Sequence, residues 1–244
     1  MTFSMNICGY VAQVHSRFDS TPAYFREYVT QDTPQFTFAP TDADLAFEQA
    51  FSIEEAITEG IRPRTYTGPY LERAAIRRAF AEFLFDRDVL LLHGSCVAQE
   101  QRAYLFTAKC GVGKSTHTRL WCQHLGGQMV NDDKPFLALT GQGVTAYGSP
   151  WNGKHGLSSN IAVPLAGICI LERGPVDQIV PIAPAEAYPL LESQAYVPLD
   201  PGKAPRRLQL LQQLTEAVPL WRMACTPTKN AAITAHKAMS NIFI

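Results

Sequence analysis

The chain has 244 residues, of which 46% are hydrophobic and 18% charged, and its formal net charge is −1. This composition predicts a folded domain with a small N-terminal appendage and excludes a disordered or low-complexity chain. A net charge near zero gives no overall attraction to nucleic acid or to an anionic membrane. No apolar run approaches the length of a membrane span, and residues 1–8 lack the features of a secretory signal. We therefore expect a cytoplasmic protein that has neither nucleic acid nor a membrane as a partner.

The cysteine pattern does not suggest a disulfide framework. Six cysteines are dispersed along the chain, with no CxxC pair and no repeated spacing. Thiols in apolar settings, such as Cys169, are typical of reduced core residues in the cytoplasm. Cys122 and His124 are two residues apart on a predicted helix, so they face different sides and do not suggest a metal pair.

The first 88 residues predict a small α+β segment that packs on the core. Between Met5 and about Thr67, apolar alternation such as that in residues 35–38 predicts a mostly β layer. One short helix is expected near residues 43–50. Residues 70–85 place apolar side chains at helical spacing, so they predict an amphipathic helix, and we expect it to pack on the sheet that follows.

The later part of the chain alternates between short strands and helices. Residues 89–92 and 103–107 predict two apolar strands separated by a polar turn. A helix from about Lys114 to Leu125 stops at Gly126 and Gly127, as expected for a glycine C-terminus. The other predicted elements are a strand over 128–130, a hairpin around 140–143, a polar loop over 148–160, a strand over 166–171, and helices near 185–193, 206–216 and 229–239. Strands and helices around a central sheet predict an α/β fold.

A glycine-rich motif between a strand and a helix predicts a P-loop. Ala108, Gly113, Lys114 and Ser115 match the pattern [AG]-x-x-x-x-G-K-[ST] in this structural context. Gly111 and Gly113 allow the backbone N–H groups to turn inward around an anion. Lys114 would reach the β- and γ-phosphates, and Ser115 would place its hydroxyl on Mg²⁺. The predicted nucleotide-binding residues are Lys109, Cys110, Gly111, Val112, Gly113, Lys114, Ser115 and Thr116.

Two adjacent carboxylates follow at a spacing that suits the P-loop. Asp132 and Asp133 lie 18 and 19 residues after Lys114, at the end of a short predicted strand. One of them can bind Mg²⁺, directly or through water, while the other accepts a proton from an incoming hydroxyl. The alternative interpretation, a solvated Asp-Asp turn, ranks second because the P-loop precedes it.

His93 is a further candidate at the end of the 89–92 strand. If that strand pairs with residues 103–107, His93 lies near the phosphates, where an imidazole could contact phosphate or orient a carboxylate base. A structural histidine at a strand end is an equally supported alternative.

The polar loop over residues 148–160 is a candidate substrate loop. It places four polar side chains between two strands: Asn152, Lys154, His155 and Ser158. Such a cluster suits a mobile loop that faces a substrate. A solvated Ω-loop is nearly as well supported by the composition.

Two further groups of residues are given structural roles. Lys203, Arg206 and Arg207 surround a proline before a predicted helix, and we expect them to be exposed to solvent. Trp121 and Trp221 are expected in the core.

Three segments of the chain carry a resemblance to a known family. They are residues 93–97 (His-Gly-Ser-Cys-Val), the P-loop ending at Ser115, and residues 131–133 (Asn-Asp-Asp). Together they look like the catalytic domain of HPr kinase/phosphorylase, which has the phosphoenolpyruvate carboxykinase nucleotide-binding fold. The resemblance covers roughly residues 91–171, a third of the chain, and residues 155–157 are similar to the family's Arg-Gly-Leu segment.

The resemblance implies a role for each matching residue. It makes His93 the active-site histidine, Lys114 the P-loop lysine, Ser115 a magnesium ligand and Asp133 the proton acceptor. The longer strings around these motifs look closer still to small HPr-kinase-like proteins, often labelled serine kinase or carboxykinase. Similar kinases phosphorylate serine in peptide natural products.

The sequence also departs from the family pattern. Asn152, Gly153 and Lys154 stand where the family has an acidic magnesium ligand, and the family's later catalytic arginine has no assigned counterpart. The family's N-terminal domain is not recognisable in residues 1–88.

The motifs and the resemblance together predict an ATP-dependent kinase with Mg²⁺ as its metal. Residues 89–244 would form the HPr-kinase-like catalytic domain. The acceptor would be a hydroxyl, foremost that of a serine, on a peptide, protein or small molecule. Two alternatives stay open: a nucleotide-sensing module without phosphotransfer, and a small-metabolite kinase with a closed pocket. The sequence is compatible with a homo-oligomer but does not determine the oligomeric state.

Overall fold

The computed structural model describes residues 1–58 and 60–240 of the chain. These residues divide into two compact units, Met1–Phe83 and Leu84–Ile244. Within the described ranges, no helix combines the length and the apolarity that crossing a membrane requires.

The first unit is built on a four-stranded sheet with the order β3-β1-β2-β4. The hairpin between the first two strands turns at Cys8 and Gly9, which both have positive φ. In chain order the elements are β1 (Thr2–Ile7), β2 (Tyr10–His15), α1 (Ser20–Tyr24), a 3₁₀ turn (Arg26–Tyr28), β3 (Val29–Thr30), β4 (Phe36–Phe38), α2 (Asp42–Thr58) and α3 (Gly68–Phe85). The predicted β layer is present, but the segment is not mostly β, because α2 is about twice as long as the helix expected near residues 43–50.

Helix α3 confirms the predicted amphipathic helix, and two of its four aromatic side chains contact aromatic side chains of the sheet that precedes it. The ring of Phe36 on β4 lies 5.1 Å from that of Phe80 and 4.1 Å from that of Phe83. The ring of Tyr10 on β2 lies 5.8 Å from Phe83. Phe85, the last residue of the helix, belongs to the core of the second unit. The expectation that the helix packs on the following sheet stays a prediction.

The second unit is a mixed α/β structure around a nine-stranded sheet. In chain order it contains β5 (Val89–Leu91), β6 (Ser95–Gln99), β7 (Arg102–Thr107), α4 (Lys114–Leu125), β8 (Gln128–Asn131), β9 (Phe136–Thr140), β10 (Gly143–Tyr147), β11 (Ala162–Arg173), β12 (Gln178–Pro181), α5 (Pro184–Gln194), a 3₁₀ turn (Pro201–Lys203), α6 (Ala204–Ala217), β13 (Leu220–Cys225) and α7 (Lys229–Ser240). The predicted α/β class is confirmed, as are the helix from Lys114 to Leu125 and its stop at Gly126.

Three strands at the centre of this sheet are parallel. Strand β11 pairs in parallel with β7 on one side and with β13 on the other. The main path of the sheet runs β5-β9-β10-β11-β7-β6-β8, and β12 pairs with β13. Because β7, β11 and β13 are parallel, their carboxyl ends lie at one edge, where ligands bind in open α/β sheets.

The strand over residues 89–92 does not pair with residues 103–107. Strand β5 pairs with β9, and β6, which the sequence did not predict, pairs with β7 instead. The turn between β6 and β7 is tight, with positive φ at both Glu100 and Gln101. Such a two-residue turn matches the twist of the strands it joins, so it favours this hairpin.

Helices cover both faces of the sheet. Alternate residues of β7 face opposite ways: Tyr104 and Phe106 enter a cluster with α4 and α7, while Leu105 enters a cluster with α5 and α6. Trp121 and Trp221 are both buried in the first of these clusters, as predicted.

The group of basic residues at the start of α6 is not a solvated patch. The guanidinium of Arg207 is largely buried and donates hydrogen bonds to the backbone oxygens of Glu192, Ala195 and Tyr196. Lys203 and Arg206 form ion pairs with Asp86 and Asp88. The expectation of exposure is wrong for Arg207, because the carbonyl groups at the end of α5 need donors and Arg207 supplies them.

Candidate functional site

The glycine loop, residues 108–113, connects β7 to α4. Gly111 and Gly113 have φ values of +74° and +122°. A side chain at Gly111 would meet no atom within 4 Å, so the backbone conformation rather than space requires glycine there. The loop leads directly into the first turn of α4, whose N–H groups have no partner within the helix. A loop of this shape before a helix N-terminus is suited to an anion.

Two side chains at the start of α4 link the glycine loop to neighbouring structure. Lys114 is 8% exposed, and its Nζ donates a hydrogen bond to the backbone oxygen of Ala108 at 3.1 Å. The hydroxyl of Ser115 donates to the backbone oxygen of Asp132 at 3.2 Å. The glycine loop and the end of β8 are therefore adjacent. Among the other predicted nucleotide-binding residues, Lys109, Cys110 and Thr116 are exposed and Val112 is half-buried.

Asp132 is a buried carboxylate with one oxygen bonded and the other not. The residue is 2% exposed, and Oδ1 accepts a hydrogen bond from the backbone N–H of Gly153 at 2.6 Å. Oδ2 is buried and, within the part of the chain described, has no hydrogen-bond partner. Burial raises the pKa of Asp132, and the charge of Asp133 adds to this effect. An unpaired buried carboxylate oxygen is costly, so this site suits a cation.

The few metal-binding side chains near Asp132 suit Mg²⁺ better than a metal whose ligands all come from the protein. The described residues contain no group of three or more His, Cys, Asp or Glu side chains that could bind a metal. Mg²⁺ commonly takes one or two carboxylate ligands and completes its shell with water and substrate phosphates. Asp132, with the Ser115 hydroxyl beside it, is compatible with that kind of binding.

Asp133 is paired with His93. The distance between Nε2 of His93 and Oδ1 of Asp133 is 3.2 Å. Burial, with the positive charge of Lys134, lowers the pKa of His93, although the hydrogen bond with Asp133 acts in the opposite direction. A neutral imidazole can bond to a carboxylate only through a protonated nitrogen, so Nε2 carries the proton.

The link between β5 and β6 brings His93 to this position. Its backbone oxygen accepts a hydrogen bond from the Thr107 hydroxyl at 3.0 Å, and the N–H of Gly94 donates to the backbone oxygen of Asp133 at 3.0 Å. His93 therefore lies next to the end of β7, although the strand before it pairs elsewhere.

The loop over residues 148–160 lies against the carboxylate pair. The backbone oxygen of Leu157 accepts a hydrogen bond from the N–H of Asp132 at 3.0 Å. Among the four predicted loop residues, Asn152 donates to the Ser158 hydroxyl at 3.1 Å, whereas Lys154 and His155 are exposed. Asn152 and Ser158 thus hold the loop together, and Lys154 and His155 are available to a ligand.

Two residues near the site were not assigned a role from the sequence. Asn131, at the end of β8, is fully buried and bonds to both the Asp133 turn and the start of the 148–160 loop. Arg173, at the end of β11, donates to the backbone oxygen of Gly111 at 2.5 Å. Arg173 lies at the carboxyl end of a strand parallel to β7, where ligand-binding residues are expected. This position could have identified it, but only once the strand order was known.

Comparisons with known proteins give limited information. No protein-family model matches the chain. No curated protein matches its sequence. Among solved structures, the chain is similar to the Hpr(Ser) kinase/phosphatase from Coxiella burnetii, with a TM-score of 0.38 and 13% sequence identity over 62% of this chain and 88% of that one. A similarity of this size is too low to assign the chain to that family.

Proposed function

We propose that the chain is an ATP-dependent kinase that transfers the γ-phosphate to a hydroxyl, foremost that of a serine on a peptide, protein or small molecule. The observation that carries the proposal is the meeting of three groups at one edge of the sheet. They are the glycine loop, the Asp132–Asp133 pair and His93. The Ser115 hydroxyl, which donates to the backbone of Asp132, links the glycine loop to the carboxylate pair, and the contact between His93 and Asp133 adds the histidine. In this proposal the glycine loop is a P-loop of the HPr kinase/carboxykinase type, within a catalytic domain of residues 89–244.

The nucleotide phosphates would bind to the N–H groups of residues 109–116 and to Lys114. Lys114 bonds to the neutral backbone carbonyl of Ala108. It can exchange that bond for a stronger, charge-assisted bond to a phosphate oxygen. Asp132 and Ser115 would hold Mg²⁺, which neutralises charge on the phosphates.

Asp133 would act as the general base. The proton of the acceptor hydroxyl moves to the Asp133 carboxylate as the acceptor oxygen forms a bond to the γ-phosphorus. The bond from that phosphorus to the bridging oxygen breaks, and ADP leaves. A hydrogen bond from neutral His93 fixes the orientation of Asp133. The exposed Lys154 and His155, together with Asn152 and Ser158, would form the acceptor-facing loop.

A nucleotide sensor without phosphotransfer is the second candidate. The observation that favours it is the small number of metal-binding side chains among the described residues, since Asn152, Gly153 and Lys154 provide no carboxylate. Such a module would bind nucleotide in the same loop and transmit the binding to a partner.

One experiment separates the two candidates. Binding of MgATP is measured by calorimetry, and turnover is followed with γ-labelled ATP in the presence of serine-containing peptides and small hydroxyl compounds. Binding with label transfer or hydrolysis supports the kinase, and binding without turnover supports the sensor. Absence of binding by folded protein rejects both.

A further inference from the structure

We propose that Asn131 is a positioning residue that holds two segments in one arrangement: the carboxylate turn, residues 132–134, and the 148–160 loop. The catalytic consequence of this role rests on the proposed function. Asn131 is the last residue of β8 and is 0% exposed. No charge or nucleophile is involved, so its contribution comes from hydrogen-bond geometry alone.

The amide of Asn131 uses both of its ends. Oδ1 accepts hydrogen bonds from the backbone N–H of Asp133 at 2.7 Å and of Lys134 at 2.5 Å. Nδ2 donates to the backbone oxygen of Ser149 at 2.8 Å and lies 3.0 Å from its hydroxyl and 3.3 Å from the backbone oxygen of Trp151. An amide offers two acceptor sites and two donor hydrogens, and all of them have partners here.

The acceptor end of the amide sets the path of the carboxylate turn. Its two bonds hold the backbone of residues 133 and 134 in a turn directly after β8. The same turn presents Asp133 to His93, and it follows directly on Asp132, whose carboxylate accepts a hydrogen bond from the Gly153 N–H. Loss of Oδ1 would leave two N–H groups without an acceptor and would release the direction of both carboxylates.

The donor end of the amide holds the start of the loop. Ser149 is itself fully buried, and its hydroxyl donates to the backbone oxygen of Lys134 at 2.7 Å, which closes the link between the loop and the turn. Further along, Gly153 donates its N–H to Asp132. The exposed Lys154 and His155 therefore follow a segment that is fixed at two points to the residues around the carboxylates.

Asparagine is the residue that serves both ends. An aspartate keeps the size and the two acceptor sites but has no hydrogen to donate, and its charge would face the carbonyls of Ser149 and Trp151. Asn131→Asp is therefore the informative variant. Gln142→Glu, which introduces the same change from amide to carboxylate in the exposed turn between β9 and β10, is the matched control.

The test uses the full chain and three measurements. Tryptic cleavage after Lys154 is followed by mass spectrometry, MgADP affinity by calorimetry, and MgATP turnover by steady-state kinetics. For folded Asn131→Asp we expect cleavage after Lys154 to accelerate by roughly tenfold or more, because the loop loses its donor. We expect kcat to fall by about tenfold to a hundredfold, because the carboxylates are misplaced. The KM for MgATP and the Kd for MgADP should change by less than about threefold, because the glycine loop is intact.

A purely structural role would not separate kcat from KM in this way. The proposal would be overturned if folded Asn131→Asp were cleaved at the wild-type rate and kept the wild-type kcat. Equal effects in Gln142→Glu would also overturn it. If Asn131→Asp does not fold, the test uses Ser149→Ala, because this change removes one link between the loop and the turn. Faster cleavage and a lower kcat, both smaller in size than for Asn131→Asp, would support the proposal, and the absence of both changes would overturn it. If the wild-type chain has no turnover, the kinase proposal fails alone, and the cleavage comparison still decides whether Asn131 holds the loop.

Discussion

Replacement of Asp132 by asparagine should make the nucleotide-free protein more stable. Asp132 is 2% exposed, and Oδ2 has no hydrogen-bond partner within the described residues. Burial raises its pKa above the ordinary value. An acid whose pKa is higher in the folded state contributes stability below its unfolded pKa, and that contribution is lost as the pH rises through the folded pKa. The fold therefore disfavours ionised Asp132 at neutral pH, whereas an asparagine stays neutral and can still accept the Gly153 hydrogen bond.

The expected gain is modest. Leaving a buried polar group unsatisfied costs about 1–3 kcal/mol, and a charged group lies at the upper end. The asparagine amide keeps part of this cost, so the free energy of unfolding should rise by about 1 kcal/mol at pH 7.5. For a chain of this size that corresponds to an increase of about 2–4 °C in Tm. The gain should vanish near pH 4 and below, where the wild-type carboxyl is itself increasingly neutral.

Urea unfolding and thermal melting at pH 7.5 and pH 4 measure these changes, each with ADP alone and with MgADP. Ligand binding to the native state raises Tm by mass action, so the Mg²⁺-dependent part of the ADP shift reports on the metal site. Asp132→Asn should lose that part. Asp133→Asn is the control, because Asp133 has a 29% exposed side chain paired with His93 and should give no gain in stability. A less stable Asp132→Asn protein, or one with the full Mg²⁺-dependent shift, would refute the reasoning.

Three other predictions concern single side chains. Lys114→Ala should weaken MgATP binding by roughly 10- to 150-fold, because a charge-assisted contact worth about 1.5–3 kcal/mol is lost; unchanged affinity by calorimetry would contradict the phosphate-binding role. Asp133→Asn should leave MgATP binding within a few-fold of wild type while phosphotransfer falls by roughly 10²–10⁴-fold, as expected for loss of a general base; normal transfer to an identified acceptor would rule out this role. Burial lowers the pKa of His117 to about 4, so the stability that depends on its neutral form is present above about pH 6.5 and is lost as the pH falls toward 4. Across that range the wild type should lose on the order of 3 kcal/mol more than His117→Gln, as measured by urea unfolding; parallel pH profiles would show that His117 is not buried in its neutral form.

Sequence reasoning predicted the elements that have strong local signals. Helix α4 has a glycine at each end, and the hairpin of β9 and β10 turns at Gly141–Gln142 between apolar strands. Strands β6, β12 and β13 were missed. Strand β13, for example, pairs with β11 across about fifty residues, as Leu220 does with Ile168, and its own six residues carry no clear alternation. Pairing over such a distance is decided by tertiary packing, which local patterns do not contain.

The same distinction applies to the candidate site. The glycine loop and the carboxylate pair are contiguous motifs, so their residue types and spacing could be read directly. His93 reaches Asp133 by a route that the sequence did not predict, because β5 pairs with β9 and the bend after it carries the histidine. Asn131 and Arg173 act through contacts with residues 18 and 62 positions away, at Ser149 and Gly111, and no local pattern reports them.

The polar groups buried in the second unit differ in what they cost. Among residues 1–58 and 60–240, Nδ1 of His117 has no hydrogen-bond partner, but the ring is neutral near pH 7 and lies against Phe106 and Trp121 as a core residue would. Asp132 instead buries a carboxylate oxygen that has no partner in the same ranges, next to a second carboxylate and beside a helix start. Selection for stability alone would remove such a group, because an asparagine keeps its one hydrogen bond. Local conflicts of this kind are expected where a protein binds a ligand. The position of Asp132 therefore supports a cation site on grounds that are independent of the glycine motif.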